Sequence, residues 1–376
     1  MHTETFKKSD FYLIKGEGID SSGVVRNSYV AADPVFSANK SFSFRFSKSL
    51  LQAGFGFVFG FQGIGCHYCV QIPQAENAIY LYAILDGQRI YLNHVRVRLS
   101  PNQNVEIRWL GPSIKVFLSG RCIINIWNNF FTFGKFGYHV FGKEGVEIPE
   151  LTVRDSTWPD QKWFVFGDGF SNPRWGGYGH ICWPDMVFDG VCDWFNFAVA
   201  ACNSTRGLAI LDSSHSSWEK GSDVVFAFGN DDLIESCSSD VFISNIDKAL
   251  KMVHEAHKVY VLSLWPGLKN KAITEEWNTR LRNVTDAYSY VRWVDLNAFL
   301  SEQRDLPNYT EAHAQVRIAE FLAKEFSIGR PARVDLQSFI SEAKSTKANP
   351  NLVCRVLRYS QRILASLERR LSCCVL

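Results

Sequence analysis

The sequence predicts a β-sandwich, then an α/β domain with a parallel sheet, then a helical C-terminal segment. In residues 1–155, apolar and polar residues alternate with a period of two, and no helical stretch separates the strands. In residues 160–328, strands alternate with helical segments, which is typical of a parallel sheet covered by helices on both faces. Residues 333–376 contain a polar linker and then an amphipathic helical pattern.

The composition is that of an ordinary globular protein. The chain has 376 residues, which is more than one hydrophobic core usually accommodates, and 46% of them are hydrophobic. The formal net charge of +2 gives no general reason to expect a nucleic acid partner. The first residues lack the apolar core of a secretory signal, and no apolar stretch approaches the roughly 18 residues of a membrane span. We therefore expect a cytoplasmic protein.

Alternating phenylalanines mark strands of the first domain. Phe42, Phe44 and Phe46 alternate in SFSFRF, and four more alternate in GFGFVFGF, residues 54–61. Alternation of this kind indicates a strand with one buried face. Many short strands of this type, separated by turns, predict a β-sandwich.

Residues 105–153 resemble the closing half of a concanavalin A-like jelly roll, in which a hairpin precedes a GKFGY strand and an edge strand. Domains of that kind often bind glycans by laying aromatic side chains against sugar faces. The resemblance therefore implies a glycan-binding module, and the alternative is a rigid spacer or a docking module.

Cys66 and Cys69 have the spacing of half a zinc site in CHYC, but no second half occurs in the sequence. We interpret both cysteines as structural, and we expect neither a metal nor a cofactor. Cys182, Cys192 and Cys202 have apolar neighbours and predict buried thiols in a reducing compartment.

The second domain places its strand ends at one edge of the predicted sheet. The strands end near residues 167, 229, 265 and 295, and helical patterns cover residues 240–256, 275–287 and 311–326. Ligands of α/β proteins usually bind where the carboxyl ends of parallel strands meet. We therefore expect the functional residues at this edge.

Five segments of residues 160–328 resemble the SGNH (GDSL-type) hydrolases. They are FVFGDGFSN, FNFAVAACNST, VVFAFGNDDL, VYVLSLWPGLKNKAITEEWNTRLRNV running into YVRWVDL, and DLPNYTEAHAQVRIAEFL. Enzymes of that family acylate a serine that follows Gly-Asp and is activated by a histidine in a late D-x-x-H motif. A backbone N–H at a glycine and an asparagine side chain stabilise the oxyanion.

The resemblance places a different residue at each of these catalytic positions. Gly169 replaces the serine, and Ala201 replaces the glycine whose N–H binds the oxyanion. Asp231 replaces the asparagine. Asn308, or Tyr309 in a register shifted by one, replaces the histidine. Because the nucleophile, the base and the oxyanion-binding side chain are all replaced, we expect no catalytic residue.

Other residues of the domain are poor substitutes for the missing groups. Ser171 lies two residues beyond the serine position, and we interpret its hydroxyl as a packing group. His180 and His215 lie in helical or loop stretches away from the sheet edge, and His313 lies in a helix five residues after Asn308, so we interpret all three as surface or packing histidines. Asp168 and Asp231 could form a carboxylate pair suited to acid–base chemistry, but we favour the alternative that Asp168 binds loop amides.

Polar residues at the strand ends predict a binding site in place of a catalytic one. Six of them are expected to converge: Asp168, Ser171, Asn172, Asn230, Asp231 and Asn308. They offer mostly acceptors and amides, which suit sugar hydroxyls better than phosphates because carboxylates repel phosphate.

Residues 351–376 form a basic amphipathic pattern. Aliphatic residues fall on one face of the predicted helix: Val353, Val356, Leu357, Leu364, Leu367 and Leu371. Arginines fall on the opposite face: Arg355, Arg358, Arg362 and Arg369. Such a helix can lie on an anionic membrane or a partner, and the alternative is packing on the protein itself or on a second copy. Cys373 begins a C-terminal pattern that also fits prenylation.

We interpret the sequence as that of a catalytically inactive SGNH relative that binds a carbohydrate or a glycan-processing protein. The resemblance implies a role in polysaccharide or glycoconjugate biosynthesis at a membrane surface. Two alternatives stay open. One is an active carbohydrate esterase, deacetylase or O-acyltransferase with a rearranged site, and the other is a scaffold that positions other proteins.

Overall fold

The computed structural model describes residues 2–328 with several gaps. The gaps are residues 18–19, 21–23, 75, 142–145, 161, 173–181, 189–190, 215–220, 267–270 and 304–311, together with the side chains of residues 312–313. The amphipathic pattern and the rest of residues 333–376 lie outside the described part. Among the described residues, no helix is both long and apolar enough to cross a membrane.

The described part of residues 3–155 is built from antiparallel strands. In chain order they are β1 (Thr3–Phe6), β2 (Phe11–Gly16), β3 (Val24–Val25), β4 (Ser28–Ala32), β5 (Phe36–Ser37), β6 (Lys40–Arg45), β7 (Phe55–Gly63), β8 (Cys66–Ile72), β9 (Ala78–Leu85), β10 (Gln88–Arg96), β11 (Asn104–Leu110), β12 (Ser113–Leu118), β13 (Arg121–Trp127), β14 (Phe133–Val140), β15 (Val146–Glu147) and β16 (Leu151–Asp155). A six-stranded sheet has the order β1-β16-β6-β11-β12-β13. An eight-stranded sheet has the order β10-β9-β8-β7-β14-β4-β2, with β5 beside β14, and β15 pairs with β3.

The two large sheets share one aromatic core. Phe42 and Phe44 of β6 contact Phe57 of β7, with ring centroids 5.2 and 5.5 Å apart. Trp109 of β11 is fully buried in the same cluster. Each buried ring removes a large apolar area from water, so the alternating phenylalanines of the sequence stabilise the packing of the two sheets.

Two local features depart from the predicted alternation. A short helix, α1 (Lys48–Ala53), follows β6, and the Ser47 hydroxyl caps it by accepting a backbone N–H of the first turn. Phe61 packs on the opposite face of β7 from the three phenylalanines before it. The pairing of β7 with β8 shifts register there, and Gly60 takes a φ of +58° that favours glycine.

Cys66 and Cys69 lie on opposite faces of β8. Cys66 packs against the sandwich core, whereas Cys69 packs with Val58 and Tyr82 on the outer face of the eight-stranded sheet. Residues three apart in a strand point to opposite faces, so the two thiols cannot bind one ion. This geometry agrees with their interpretation as structural cysteines.

The described part of residues 163–325 forms a parallel sheet with helices. The strands are β17 (Trp163–Gly167), β18 (Trp194–Asn196), β19 (Asp223–Ala227), β20 (Lys258–Leu262) and β21 (Val291–Val294), in the order β18-β17-β19-β20-β21. The helices are α2 (Trp183–Phe188), α3 (Ser204–Ser213), α4 (Asn230–Ile234), α5 (Ser239–Met252), α6 (Lys271–Thr285), α7 (Leu296–Glu302) and α8 (Ala312–Glu325).

Helices cover both faces of the parallel sheet. Phe164, Phe166 and Phe226 pack with α3, α5 and α6 on one face. On the other face, Trp163 contacts Phe188 at the end of α2, with ring centroids 5.0 Å apart. The predicted parallel sheet between two helical layers is therefore present.

The six-stranded sheet contacts the parallel sheet at β18. The Asn125 side chain in β13 donates to the carbonyl of Trp194 and accepts from the N–H of Asn196, both at 3.2 Å. Nearby, Trp127 Nε1 donates to Ser214 Oγ at 3.1 Å. These contacts join the sandwich to the edge of the α/β part.

Candidate functional site

The strand order places the candidate site between β17 and β19. The chain leaves β17 toward β18 on one side and later enters β19 on the other side, so the crossovers diverge at this point. A crevice at the carboxyl ends of such strands is the usual ligand site of an open α/β sheet. Here the turn at Asp168 follows β17, and α4 begins just beyond β19.

Asp168 binds the two loops of the site together. Its Oδ1 accepts from the N–H of Phe170 at 3.1 Å, and its Oδ2 accepts from the N–H groups of Asn230 (2.9 Å) and Asp231 (3.4 Å). The side chain belongs to a fully buried residue. Asp168 thus has the loop-binding geometry that we favour from the sequence.

Asp231 directs its carboxylate at two backbone N–H groups. Its Oδ2 accepts from Gly169 and from Cys202, both at 3.0 Å. Two converging backbone N–H groups are the usual construction of an oxyanion hole. In this chain both N–H groups donate to the same carboxylate oxygen of the protein.

Ala201, which the resemblance places at the oxyanion-binding glycine, directly precedes the residue whose N–H bonds to Asp231. Ala201 has a φ of +55°, in the left-handed region that favours glycine. A glycine would adopt this conformation more readily than the alanine does. The N–H that points to Asp231 belongs to the next residue along the chain.

The two buried carboxyl groups influence each other. Burial raises the pKa of Asp168 well above its usual range, and the negative charge of Asp231 raises it further. Burial also raises the pKa of Asp231, whereas the N–H groups of Gly169 and Cys202 lower it. Both groups therefore hold a proton more tightly than an exposed aspartate does.

Three more of the predicted residues are buried at the same edge: Ser171, Asn172 and Asn230. Trp183 Nε1 donates to Ser171 Oγ at 3.2 Å. The amide of Asn172 donates to the carbonyl of Ala198 at 2.7 Å, and Asn230 Oδ1 accepts from the N–H of Trp265 at 2.9 Å. The five described residues of the predicted site thus converge, and each one forms hydrogen bonds within the chain.

Several predicted residues fall outside the described part of the chain. They are Asn308, Tyr309, His180, His215 and the side chain of His313. Ligand binding at this edge stays a prediction. A ligand there would meet side chains that already form hydrogen bonds within the protein.

The sequence analysis missed a third buried carboxyl group, that of Asp232, beside Asp168 and Asp231. Asp232 accepts from the N–H (2.8 Å) and the hydroxyl (2.7 Å) of Ser204, and Asn245 donates to the same hydroxyl at 3.1 Å. Burial raises the pKa of Asp232 to about 6, although the bonds from Ser204 oppose this rise. The Asp-Asp pair after Gly229 is the signal in the sequence that could have indicated it.

The Cys202 thiol lies close to the candidate site, although its sequence pattern indicates only a buried thiol. Burial raises its pKa, and the negative charges of Asp168 and Asp231 raise it further. A cysteine acts as a nucleophile through its thiolate, which forms where positive groups lower the pKa. The environment of Cys202 favours the thiol, so this residue is unsuited to replace the serine.

The comparisons with known proteins give structural similarities at low sequence identity. No protein-family model and no curated protein matches the sequence. Among solved structures, the carbohydrate-binding module CBM66 from Bacillus subtilis is 13% identical, with 39% of this chain and 92% of that chain covered and a TM-score of 0.31. A member of the lipolytic G-D-S-L family from Veillonella parvula is 14% identical, with coverage of 44% and 98% and a TM-score of 0.38.

A third similar structure spans more of the chain. The salicylyl-acyltransferase SsfX3 from a tetracycline biosynthetic pathway is 12% identical, with 80% of this chain and 82% of that chain covered and a TM-score of 0.40.

Proposed function

We propose that this protein is a catalytically inactive relative of the SGNH hydrolases and acts by binding a carbohydrate or a glycan-processing protein. The observation that carries the proposal is the contact of Asp231 with the N–H groups of Gly169 and Cys202. A carboxylate at this position repels the negative charge that develops on a substrate oxygen, and it also takes up both donors. Loss of one such donor alone reduces rates by roughly a hundred- to a thousandfold.

Two further features support the absence of acyl transfer. Gly169 carries no nucleophile where the sequence resemblance places the serine, and the nearby Ser171 hydroxyl is buried beside Trp183. The Cys202 thiol has a raised pKa. Each candidate nucleophile is therefore replaced, buried or held in its unreactive form.

The binding role rests on the sequence. The resemblance of residues 105–153 to a concanavalin A-like jelly roll supports a glycan ligand, and the basic amphipathic pattern of residues 351–376 supports a location at an anionic membrane surface. Together they support a proposed role in the biosynthesis of a polysaccharide or glycoconjugate. They are also the features that distinguish this proposal from a simple scaffold.

Ester hydrolysis by the purified full chain tests the proposal. With p-nitrophenyl acetate and an acetylated xylo-oligosaccharide as substrates, we expect no saturable turnover by the wild type or by Asp168→Asn and Asp231→Asn. Asp247→Asn is the matched control, because Asp247 bonds to Lys251 and Tyr288 away from the site. Saturable turnover that Asp168→Asn or Asp231→Asn abolishes and Asp247→Asn preserves would contradict the proposal and establish the carboxylate pair as an acid–base site.

A further inference from the structure

The outer face of the six-stranded sheet has two different halves. On one half, Leu110 and Trp127 belong to the apolar cluster of the α/β part, and Asn125 bonds to β18. On the other half, β16, β6 and β11 line a groove of about 910 Å³. The groove is within the usual range of ligand sites, roughly 300–1,000 Å³.

Small hydroxyl side chains form the floor of this groove. Ser41 and Ser43 of β6 alternate with core phenylalanines, and Thr152 of β16 pairs directly with Ser43. Ser41 Oγ donates to Glu106 Oε1 at 3.0 Å, and Ser43 Oγ donates to Asn104 Oδ1 at 2.9 Å. The floor therefore offers short, polar and already oriented groups.

Three arginines also line the groove: Arg45, Arg108 and Arg154. Arg154 and Arg108 both pair with Ser41, one from each neighbouring strand, so their Cα atoms lie about 10 Å apart. Arg108 is held by Glu106, 2.5 Å away, and by the ring of Phe117. Among the described residues, the side chains of Arg45 and Arg154 have no ion-pair or hydrogen-bond partner, although both line the groove.

Acidic residues line the same groove as the arginines. Glu106, Glu150 and Asp155 line the groove beside the arginines, and Asp155 pairs with Lys40. A dense polyanion such as a nucleic acid would be repelled by these carboxylates. A ligand with many hydroxyl groups and a few separated carboxylates fits both the hydroxyl floor and the two unpartnered arginines.

We infer that this groove binds an acidic oligosaccharide, with Arg45 and Arg154 as partners of its carboxylates. The inference rests on the carbohydrate-binding part of the proposed function and names the site and the class of sugar. It involves none of the residues around Asp231. The two proposals can therefore fail separately.

Calorimetric titration of the full chain tests the inference. The probes are short oligomers of galacturonate, hyaluronan and alginate, with galactotriose as the neutral control. We expect at least one uronate oligomer to bind about tenfold or more tightly than galactotriose, and this binding to weaken as salt rises. Arg45→Gln and Arg154→Gln should each reduce the affinity about tenfold, because each removes a charge-assisted hydrogen bond.

Arg96→Gln is the matched control, since Arg96 is an exposed strand arginine in the other sheet. The Arg96→Gln variant should bind the uronate oligomer with the affinity of the wild type. Thermal unfolding should show that all three variants are folded. The inference is wrong if no uronate oligomer binds, or if the folded Arg45→Gln and Arg154→Gln variants bind as the wild type does. It is also wrong if galactotriose binds as tightly as the uronates, whereas ester turnover would bear only on the proposed function.

Discussion

Oδ2 of Asp231 lies 3.0 Å from the backbone nitrogen of Gly169. The residue at the expected oxyanion-binding position is thus bonded to the residue at the expected nucleophile position. In an active enzyme both positions would face the substrate. In this structure the Asp231 carboxylate accepts a hydrogen bond from the Gly169 N–H, so the two residues are partners of each other.

Asp231→Asn should change how stability depends on pH. Because burial raises the pKa of Asp231, the folded chain binds this proton more tightly than the unfolded chain does. The stability from this group is complete below about pH 4 and is lost as the pH rises through the raised pKa. Asparagine does not titrate, so the free energy of unfolding of the variant, relative to the wild type, should increase from about pH 4 to about pH 8. Urea unfolding at both pH values measures this difference.

Asp247→Asn provides the control of opposite sign. Lys251 and Tyr288 lower the pKa of Asp247, so its stabilising contribution is present at neutral pH and is lost as the pH falls. This variant should lose more stability at about pH 8 than at about pH 3. If the relative stability of Asp231→Asn does not vary with pH, the buried carboxylate is not the titrating group that we describe.

Asp232 should produce a pH effect in a defined window. Burial raises its pKa to about 6, so its contribution to stability is present below about pH 4 and is lost as the pH rises through about 6. A shift of this size corresponds to up to about 3 kcal/mol between the two limits. Chemical unfolding of the wild type and of Asp232→Asn measures the free energy of unfolding across this window. As the pH rises, the wild type should lose stability relative to the variant. Parallel curves would contradict the assignment.

Asn125→Ala should weaken the junction between the sandwich and the parallel sheet. The substitution removes the hydrogen-bond partner of the Trp194 carbonyl and of the Asn196 N–H, and both residues are buried. Each unsatisfied buried group costs about 1–3 kcal/mol, so the free energy of unfolding should fall by at least about 1 kcal/mol. Gln88→Ala, at an exposed amide of β10, is the control and should change little. Equal unfolding midpoints for the two variants would contradict the prediction.

Deletion of residues 351–376 should release the protein from anionic membranes without unfolding it. The aliphatic face could supply several kcal/mol at about 25 cal/mol per Å², and each arginine near an anionic leaflet adds about 1 kcal/mol. Co-sedimentation with phosphatidylserine liposomes at low and high salt, for the intact and shortened chains, measures this binding. If the intact protein stays in the supernatant at low salt while the deletion lowers the melting temperature, the segment stabilises the fold instead.

Local patterns in the sequence predicted the sheets and much of the candidate site. Phe42 and Phe164 belong to strands whose period or apolar character is visible within a few residues. Gly169 and Asp231 could be placed because each follows directly after such a strand. The short helix after Ser47 was missed, since its six residues are too few for a periodic pattern.

Contacts between distant segments could not be predicted in the same way. Cys202, not Ala201, donates to Asp231, because the left-handed turn at Ala201 determines which N–H points inward. The groove likewise depends on the register that places Arg154 beside Ser41. Pairings of this kind depend on the whole sheet, and no short segment of the sequence records them.

The contact of Asn125 with β18 also affects how much of the edge of the parallel sheet is accessible to other molecules. β18 is the outermost strand of the parallel sheet, and such a strand presents free N–H and C=O groups that can recruit a strand from another molecule. One side-chain amide of the sandwich satisfies both an acceptor and a donor of this strand, as a rung of a neighbouring strand would. The sandwich therefore covers part of this edge, and we expect a fragment of residues 160–328 made without it to expose that strand to neighbouring molecules.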